Sequence, residues 1–303
     1  MRVTLPTQDL LDAMTDLPEG VTTELWDFTE PAPEGHVDLA VLPYMAPATT
    51  LDVLQSADVG WVQSQALGYD GVADHLPGGV GFSNAVGVHE ASTAELTLAL
   101  ILAAQRDIPG FVHDQDEARW NTKFTPGLLG RTALVVGVGG VGTSIATLLR
   151  AFGAAVLRSA SRARTDEDGS IGGPEHLPHM LRHSDIVVLV TPLTEQTRHM
   201  VDADFLAAMP EGALLVNVGR GPLVDTDALV EAATAGRVRA ALDVTDPEPL
   251  PAEHPLWRTP GVLITPHVGG RTTTMHGRVV ALVSSQIAHA LAGEPYDHAV
   301  VTP

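Results

Sequence analysis

The 303-residue chain has no cysteine, a single lysine (Lys123) and few aromatics, 4 % of its residues. Without cysteine there is no disulfide scaffold, cysteine-ligated zinc, iron–sulfur cluster or thiol nucleophile. Basic residues are scarce: 17 Lys+Arg against 37 Asp+Glu give a formal charge of −20. That balance argues against nucleic acid as a partner, which needs a strongly basic surface. Long apolar runs are missing too. The longest, residues 94–104, is interrupted by Glu95 and Thr97 and is too short to cross a bilayer. The first ten residues lack a basic start followed by an apolar run, so no signal peptide is expected. The expectation is a soluble cytoplasmic protein with no membrane partner and no metal site. With 45 % hydrophobic and 18 % charged residues, the composition is globular, and the length suits two domains of roughly 150 residues.

What is present is an alternation of short apolar runs and helical stretches. Residues 3–5, 37–42, 59–63 and 80–82 read as strands, with helices over 7–15 and 50–56 between them. Such alternation means parallel strands joined by crossover helices. Residues 89–106 predict a long helix, small and aliphatic on most faces, buried between two bodies, where Glu95 needs a partner or a helix-end position. Residues 110–123 read as an amphipathic stretch bearing Phe111 and Trp120. Further strands are expected at 132–136, 155–157, 186–190, 214–218, 239–242 and 262–264. Helices are expected near 142–152, 178–183, 202–208 and 225–235, with a final one over 272–291. The proline-rich loop 246–260 is expected to be rigid and exposed to a cleft.

Gly137-Val138-Gly139-Gly140-Val141-Gly142 follows the strand 132–136 and opens a helix. In that context a G-x-G-x-x-G points to a dinucleotide. The first glycine makes the tight turn, the second lets backbone approach a pyrophosphate, and the third lets helix and strand pack closely. The helix N-terminus offers free N–H groups to the phosphates.

Three later strands end in chemistry-bearing residues: Asn217-Val218-Gly219-Arg220, Asp243 with Glu248 after it, and Thr265-Pro266-His267. Ligands of open α/β sheets bind beyond the carboxyl ends of strands. An arginine fork can hold and polarise a 2-keto acid. A histidine can give or take the proton, and a glutamate beside it favours the imidazolium. Each residue alone has a bland alternative: Glu248 as a solvated acid, or Arg220 paired with Asp225.

At these residues the chain resembles the D-isomer-specific 2-hydroxyacid dehydrogenase family. The likeness spans about residues 60–292. It includes Gln65–Asp70, Asn84 with Ala94-Glu95, Pro192–Thr194, Val216–Asp225, Asp243–Leu250 and Thr265–Gly270. It implies two doubly wound parallel-sheet α/β domains. Residues 1–95 and 272–303 would form a flavodoxin-like substrate domain, and residues 96–271 a Rossmann cofactor domain. Arg220, Glu248 and His267 would be the catalytic trio. Ala66, Leu67 and Gly68 would bind the substrate carboxylate through backbone N–H groups. Thr93, Asp243 and the backbone near Val218 would surround the nicotinamide, and Thr191-Pro192 would approach the adenine side. Tyr44 and Met45 are candidate pocket walls. Family members are usually dimers through the cofactor domains, so a homodimer is expected, with residues 110–123 as its arm.

The implied activity is NAD(P)-dependent reduction of a small 2-keto acid of the glyoxylate or hydroxypyruvate type. Alternatives are a phosphoglycerate-type dehydrogenase, for which the chain leaves no room for an appended regulatory domain, and a dinucleotide-sensing corepressor. NADP(H) is expected to be preferred, with NAD(H) as the second option. An NAD-binding version carries an acid about 20 residues after the glycine motif; by the family pattern that position is Ala160. No Asp or Glu occurs from Ala118 to Thr165, where average usage would place about six. Ser161 and Arg162 would donate to the 2′-phosphate.

Overall fold

A computed structural model of the chain describes residues 1–29 and 31–303. It divides into two compact units, residues 1–89 with 271–303, and residues 90–270. The first unit begins with Arg2–Leu5 (β1), Gln8–Ala13 (α1), Thr22–Leu25 (β2), Val37–Val41 (β3), Val59–Gln63 (β4), Val72–His75 (α2) and Gly81–Ser83 (β5). Residues 48–56 form a 3-10 helix rather than an α-helix.

The second unit follows with Glu90–Gln105 (α3), Ile108–Asp116 (α4), Thr132–Val136 (β6), Gly140–Ala151 (α5), Ala155–Ser159 (β7), Arg164–Asp166 (β8) and Gly169–Ile171 (β9). It continues through Leu177–Arg182 (α6), Ile186–Leu189 (β10), Ala203–Ala208 (α7), Ala213–Asn217 (β11), Thr226–Thr234 (α8), Val238–Leu242 (β12) and Val262–Ile264 (β13). Met275–Ala292 (α9) and Ala299–Val301 (β14) return to the first unit.

The first sheet runs β14-β5-β4-β3-β1-β2. Its pairs are parallel except β14, which lies antiparallel to β5. The all-parallel expectation is therefore corrected at one edge. Neither β2 nor β14 was legible in the sequence. Thr22–Leu25 is half exposed and mostly polar, and a three-residue edge strand needs no apolar alternation. Val279, Val283 and Ile287 of α9 pack with Val3, Leu5 and Leu39.

The second sheet is wholly parallel, in the order β13-β12-β11-β10-β6-β7. Successive residues of a strand point to opposite faces. Along β10, Ile186 and Val188 enter a core with Ile101 of α3 and Ile145 and Leu149 of α5. Val187 and Leu189 enter another with Leu181, Phe205 and Leu229 of α6, α7 and α8. Both faces are covered, which explains the unbroken apolar runs. Each fully buried aliphatic side chain contributes about 1.5–3 kcal/mol. The chain enters the sheet at β6, one strand in from the edge, adds β7 as the edge strand on one side, then crosses to β10 on the other. That reversal is where a doubly wound sheet opens its ligand crevice.

Two expectations change here. The boundary falls between His89 and Glu90 instead of after residue 95, because Ala94, Leu100 and Ile101 of α3 belong to the second unit's core. Ala91, Glu95 and Ala99 form an exposed stripe on α3, so Glu95 is solvated without help. The amphipathic stretch 110–123 is helical only as far as Asp116. Ala118 takes a left-handed φ of 53°. The Asp114 carboxylate then accepts from the side chains of Arg119 and Asn121, turning the chain into an irregular arm. No helix among the described residues is long and apolar enough to cross a membrane.

Candidate active site

The glycine motif joins β6 to α5. A Cβ on Gly142 would strike the carbonyl oxygen of Gly137, so only glycine lets the helix sit this close to the strand end. Gly137 turns at φ 117°, and a Cβ there would lie 2.6 Å from the Val190 oxygen. By contrast a Cβ on Gly139 would meet nothing within 4 Å. Close packing behind and open space in front are what a pyrophosphate needs. Val141 packs partly into the core behind. The residues fit a dinucleotide.

Beside the cradle, Thr197 Oγ1 donates to the Pro192 oxygen at 2.7 Å, shaping the turn after Thr191. Ser159 at the end of β7 accepts from the Gly137 amide at 2.9 Å. Ser161 and Arg162 follow on an exposed turn. The Arg162 guanidinium finds no hydrogen bond or ion pair among the described residues.

At the ends of β11, β12 and β13 nearly every polar side chain holds another group in place. Asn217, 1 % exposed, donates to the Arg220 carbonyl at 2.8 Å and accepts from the Gly219 amide at 3.1 Å. That fixes the backbone from which Arg220 projects. A Cβ on Gly221 would collide with the Thr245 backbone, so the Arg220 and Glu248 loops approach backbone to backbone. Asp225 caps α8 through the Ala228 amide at 3.1 Å. Val218 gives its amide to Leu189 at 3.2 Å.

Asp243 is 3 % exposed. Its carboxylate accepts from Thr265 Oγ1 at 2.6 Å, the Val268 amide at 2.9 Å and the Gly269 amide at 2.8 Å, while its carbonyl accepts from the His267 amide at 2.7 Å. Asp243 thus clamps the loop that carries His267, and Thr93 packs against the same Gly269. Inside this clamp His267 takes φ 54°, a left-handed conformation that costs a non-glycine residue about 1–3 kcal/mol. The strained backbone aims the ring: His267 Nδ1 lies 2.5 Å from Glu248 Oε1.

Burial pushes the Glu248 carboxyl upward. The His267 hydrogen bond and charge, a Thr245 backbone hydrogen bond and the Arg220 charge outweigh it and hold the group below the ordinary carboxylate range. Glu248 is therefore ionised, a fixed partner for an imidazolium, with Nε2 of His267 left for chemistry. The second unit brings together Arg220, Glu248, His267, Asp243 and Thr93. Thr265 and Asn217, which hold these groups, were legible only as neighbours in the motifs.

In the first unit, the Ala66 amide is already taken by Ser64 Oγ at 3.0 Å. The expected three-amide carboxylate loop is thus reduced to Leu67 and Gly68, whose amides find no partner among the described residues. Asn84 holds the Leu67 carbonyl at 2.9 Å. Met45 lines a cavity of about 50 Å³ with Ala66 and Gly68. Tyr44 stacks on His89 with ring centres 5.4 Å apart, and the Arg271 guanidinium lies 5.3 Å from the Tyr44 ring centre. Tyr44 thus forms part of a stack, and His89 and Arg271 were not singled out in the sequence. Among the described residues no group of three or more His, Asp or Glu side chains could hold a metal ion.

A doubly wound sheet with a pyrophosphate cradle and a carboxylate–imidazole pair at its strand ends defines a dinucleotide-dependent α/β enzyme. The chain belongs to the D-isomer specific 2-hydroxyacid dehydrogenase family, whose NAD-binding domain matches residues 98–269. It is 32 % identical to a glyoxylate reductase of Aeropyrum pernix over 305 residues, covering 93 % of this chain and 90 % of that protein. It is 30 % identical over 292 residues to the human glyoxylate reductase/hydroxypyruvate reductase, covering 90 % and 88 %. A D-isomer specific 2-hydroxyacid dehydrogenase from Xanthobacter autotrophicus, solved in complex with NADPH and MES, matches with a TM-score of 0.84 and 29 % identity, covering 99 % of this chain and 97 % of that one.

Proposed function

We propose that the protein reduces small 2-keto acids of the glyoxylate or hydroxypyruvate kind, with NADPH preferred over NADH. The observation that carries this reading is the 2.5 Å pair of His267 and ionised Glu248, set on the same sheet as the glycine cradle and beside Arg220. The reduced nicotinamide, when bound, supplies the hydride. Arg220 offers a planar fork to the carboxylate and carbonyl oxygens of the substrate and stabilises the negative charge that develops there. His267, protonated and braced by Glu248, delivers the proton to the carbonyl oxygen from Nε2. A panel of 2-keto acids, each assayed with NADPH and NADH, tests the reading. Turnover of glyoxylate or hydroxypyruvate, faster with NADPH, is expected. No turnover of any 2-keto acid with either cofactor would reject it and favour a binding protein.

The same reading takes the protein to be a homodimer. Trp120, Phe124 and Leu129 all stand in solvent, Trp120 at 96 % exposure, apolar surface that a second copy would cover. Sedimentation as a monomer at micromolar concentration would remove this part alone.

A further inference from the structure

The exposed turn after β7 is held by a residue that is itself buried. Arg158, the fourth residue of β7, has a side chain 4 % exposed. Its guanidinium donates to both oxygens of Asp166, Nη1 to Oδ2 at 2.8 Å and Nη2 to Oδ1 at 2.6 Å, and to the Gly169 carbonyl at 3.0 Å. Asp166 and Gly169 are the end residues of the β8–β9 hairpin. Arg158 Nη1 also lies 3.8 Å from Asp168, which has Arg150 at 3.4 Å on its other side. The hydrogen bond from Arg158 holds the Asp166 carboxyl below the ordinary carboxylate range, so both ends of the strut stay charged.

The strand ladder closes the other end of the segment. The Ala160 amide donates to the Gly172 carbonyl at 2.9 Å, and the Gly172 amide to the Arg158 carbonyl at 2.8 Å. Residues 160–171 therefore form a closed excursion, with Ser161 and Arg162 on one limb. The hairpin borders an open groove lined among others by Val156, Leu157, Ile171, His179 and Met180. All of β8 and Ser170 of β9 are exposed, with only Ile171 buried, so polar tethers carry much of the hairpin's positioning.

Charge gives the strut a second effect. The sequence immediately after the acid-free stretch reads Asp166-Glu167-Asp168. Left free, these acids would face a ligand phosphate at the preceding turn with like charge. The strut draws Asp166 and Asp168 onto buried or half-buried arginines.

We propose that Arg158 is the positioning residue for cofactor selection: it ties the β8–β9 hairpin back and neutralises Asp166 and Asp168, so that Ser161 and Arg162 present a cationic turn to the 2′-phosphate. This rests on the NADPH preference proposed above. An arginine outside the phosphate contact thereby sets the selectivity of one that makes it.

The test compares kcat and KM for NADPH and NADH in the full-length wild type, Arg158→Met, Arg158→Lys and Asp166→Asn, with melting temperatures alongside. Arg158→Met fills the same buried space without the donors. It is expected to raise KM for NADPH about tenfold, the worth of one or two charge-assisted hydrogen bonds, with KM for NADH and kcat held within about twofold. Arg158→Lys keeps the charge and loses the fork, so part of the selectivity returns. Asp166→Asn changes a side chain that is 41 % exposed, which preserves folding if Arg158→Met does not fold; it loosens the tether but also removes one acid, so a smaller shift of selectivity in the same direction is expected. An equal rise in both KM values, or an unchanged NADPH/NADH ratio in the folded variants, would overturn the proposal. A wild type that prefers NADH would instead overturn the cofactor reading on which it rests.

Discussion

The two ends of the second sheet's ligand edge are built on opposite plans. At the β11–β13 end almost every polar side chain is engaged: Asn217 with Arg220 and Gly219, Asp243 with Thr265, Val268 and Gly269, and Glu248 with His267. At the β6–β7 end the working surface is backbone, an open glycine and a turn whose arginine has no partner among the described residues. The difference follows from the chemistry. A proton donor must be held at one place and angle, and that takes surrounding hydrogen bonds. A pyrophosphate brings its own charge and needs only amides, space and a helix N-terminus.

If the comparison holds, the largest kinetic effect lies at the crowded end. His267→Ala is expected to cost about 10²–10⁴-fold in kcat, the usual worth of general acid catalysis, with the Kd for NADPH nearly unchanged. Stopped-flow or steady-state kinetics with parallel cofactor titration checks this; unimpaired turnover would break the assignment.

At the glycine end two neighbours should behave differently. Gly142→Ala places a Cβ against the Gly137 carbonyl and is expected to destabilise the protein by about 1–3 kcal/mol, as overpacked sites do. Gly139→Ala, with nothing within 4 Å, should leave the melting temperature alone and weaken cofactor binding. Equal melting points for the two variants would contradict the packing argument.

Arg162→Ala sharpens the contrast further. It should erase most of the preference for NADPH, about tenfold in kcat/KM, while NADH turnover stays nearly intact, because only the phosphate contact is lost. A parallel loss with both cofactors would make Arg162 a structural residue.

The smallest effect concerns pH. Glu248→Gln removes the anionic partner of His267. The same carboxyl is held low in the folded protein. Its contribution to stability is complete above the ordinary carboxylate range and fades as pH falls through its lowered value. The wild-type and Glu248→Gln melting temperatures should therefore converge in acid. A constant gap at all pH values would place the stabilisation elsewhere.

How much of this was legible depends on how local the cause is. The β6–α5 glycine motif, the buried strands of the second sheet and the trio at the strand ends were readable because short-range rules write them: tight turns need glycine, and strands covered on both faces run apolar without interruption. β2, β14 and the β8–β9 hairpin were not, since exposed edge strands need neither alternation nor bulk. The end of α4 at Asp116 was missed because the turn depends on Asp114 capturing Arg119 and Asn121, a contact no periodicity records.

The amino-acid sequence by itself determined the class of chemistry. A cysteine-free, acidic, doubly wound chain with one glycine cradle and an Arg–Glu–His series at strand ends leaves few other readings. Tertiary structure decided which groups are free to act. Asp243 is engaged in shaping the His267 loop, the Ala66 amide is occupied by Ser64, and Arg158 is buried on Asp166 while Arg162 stays open. In the sequence those two arginines differ only by position in one basic run. Hydrogen bonding in three dimensions separates them, because a donor already paired and buried cannot also bind a ligand.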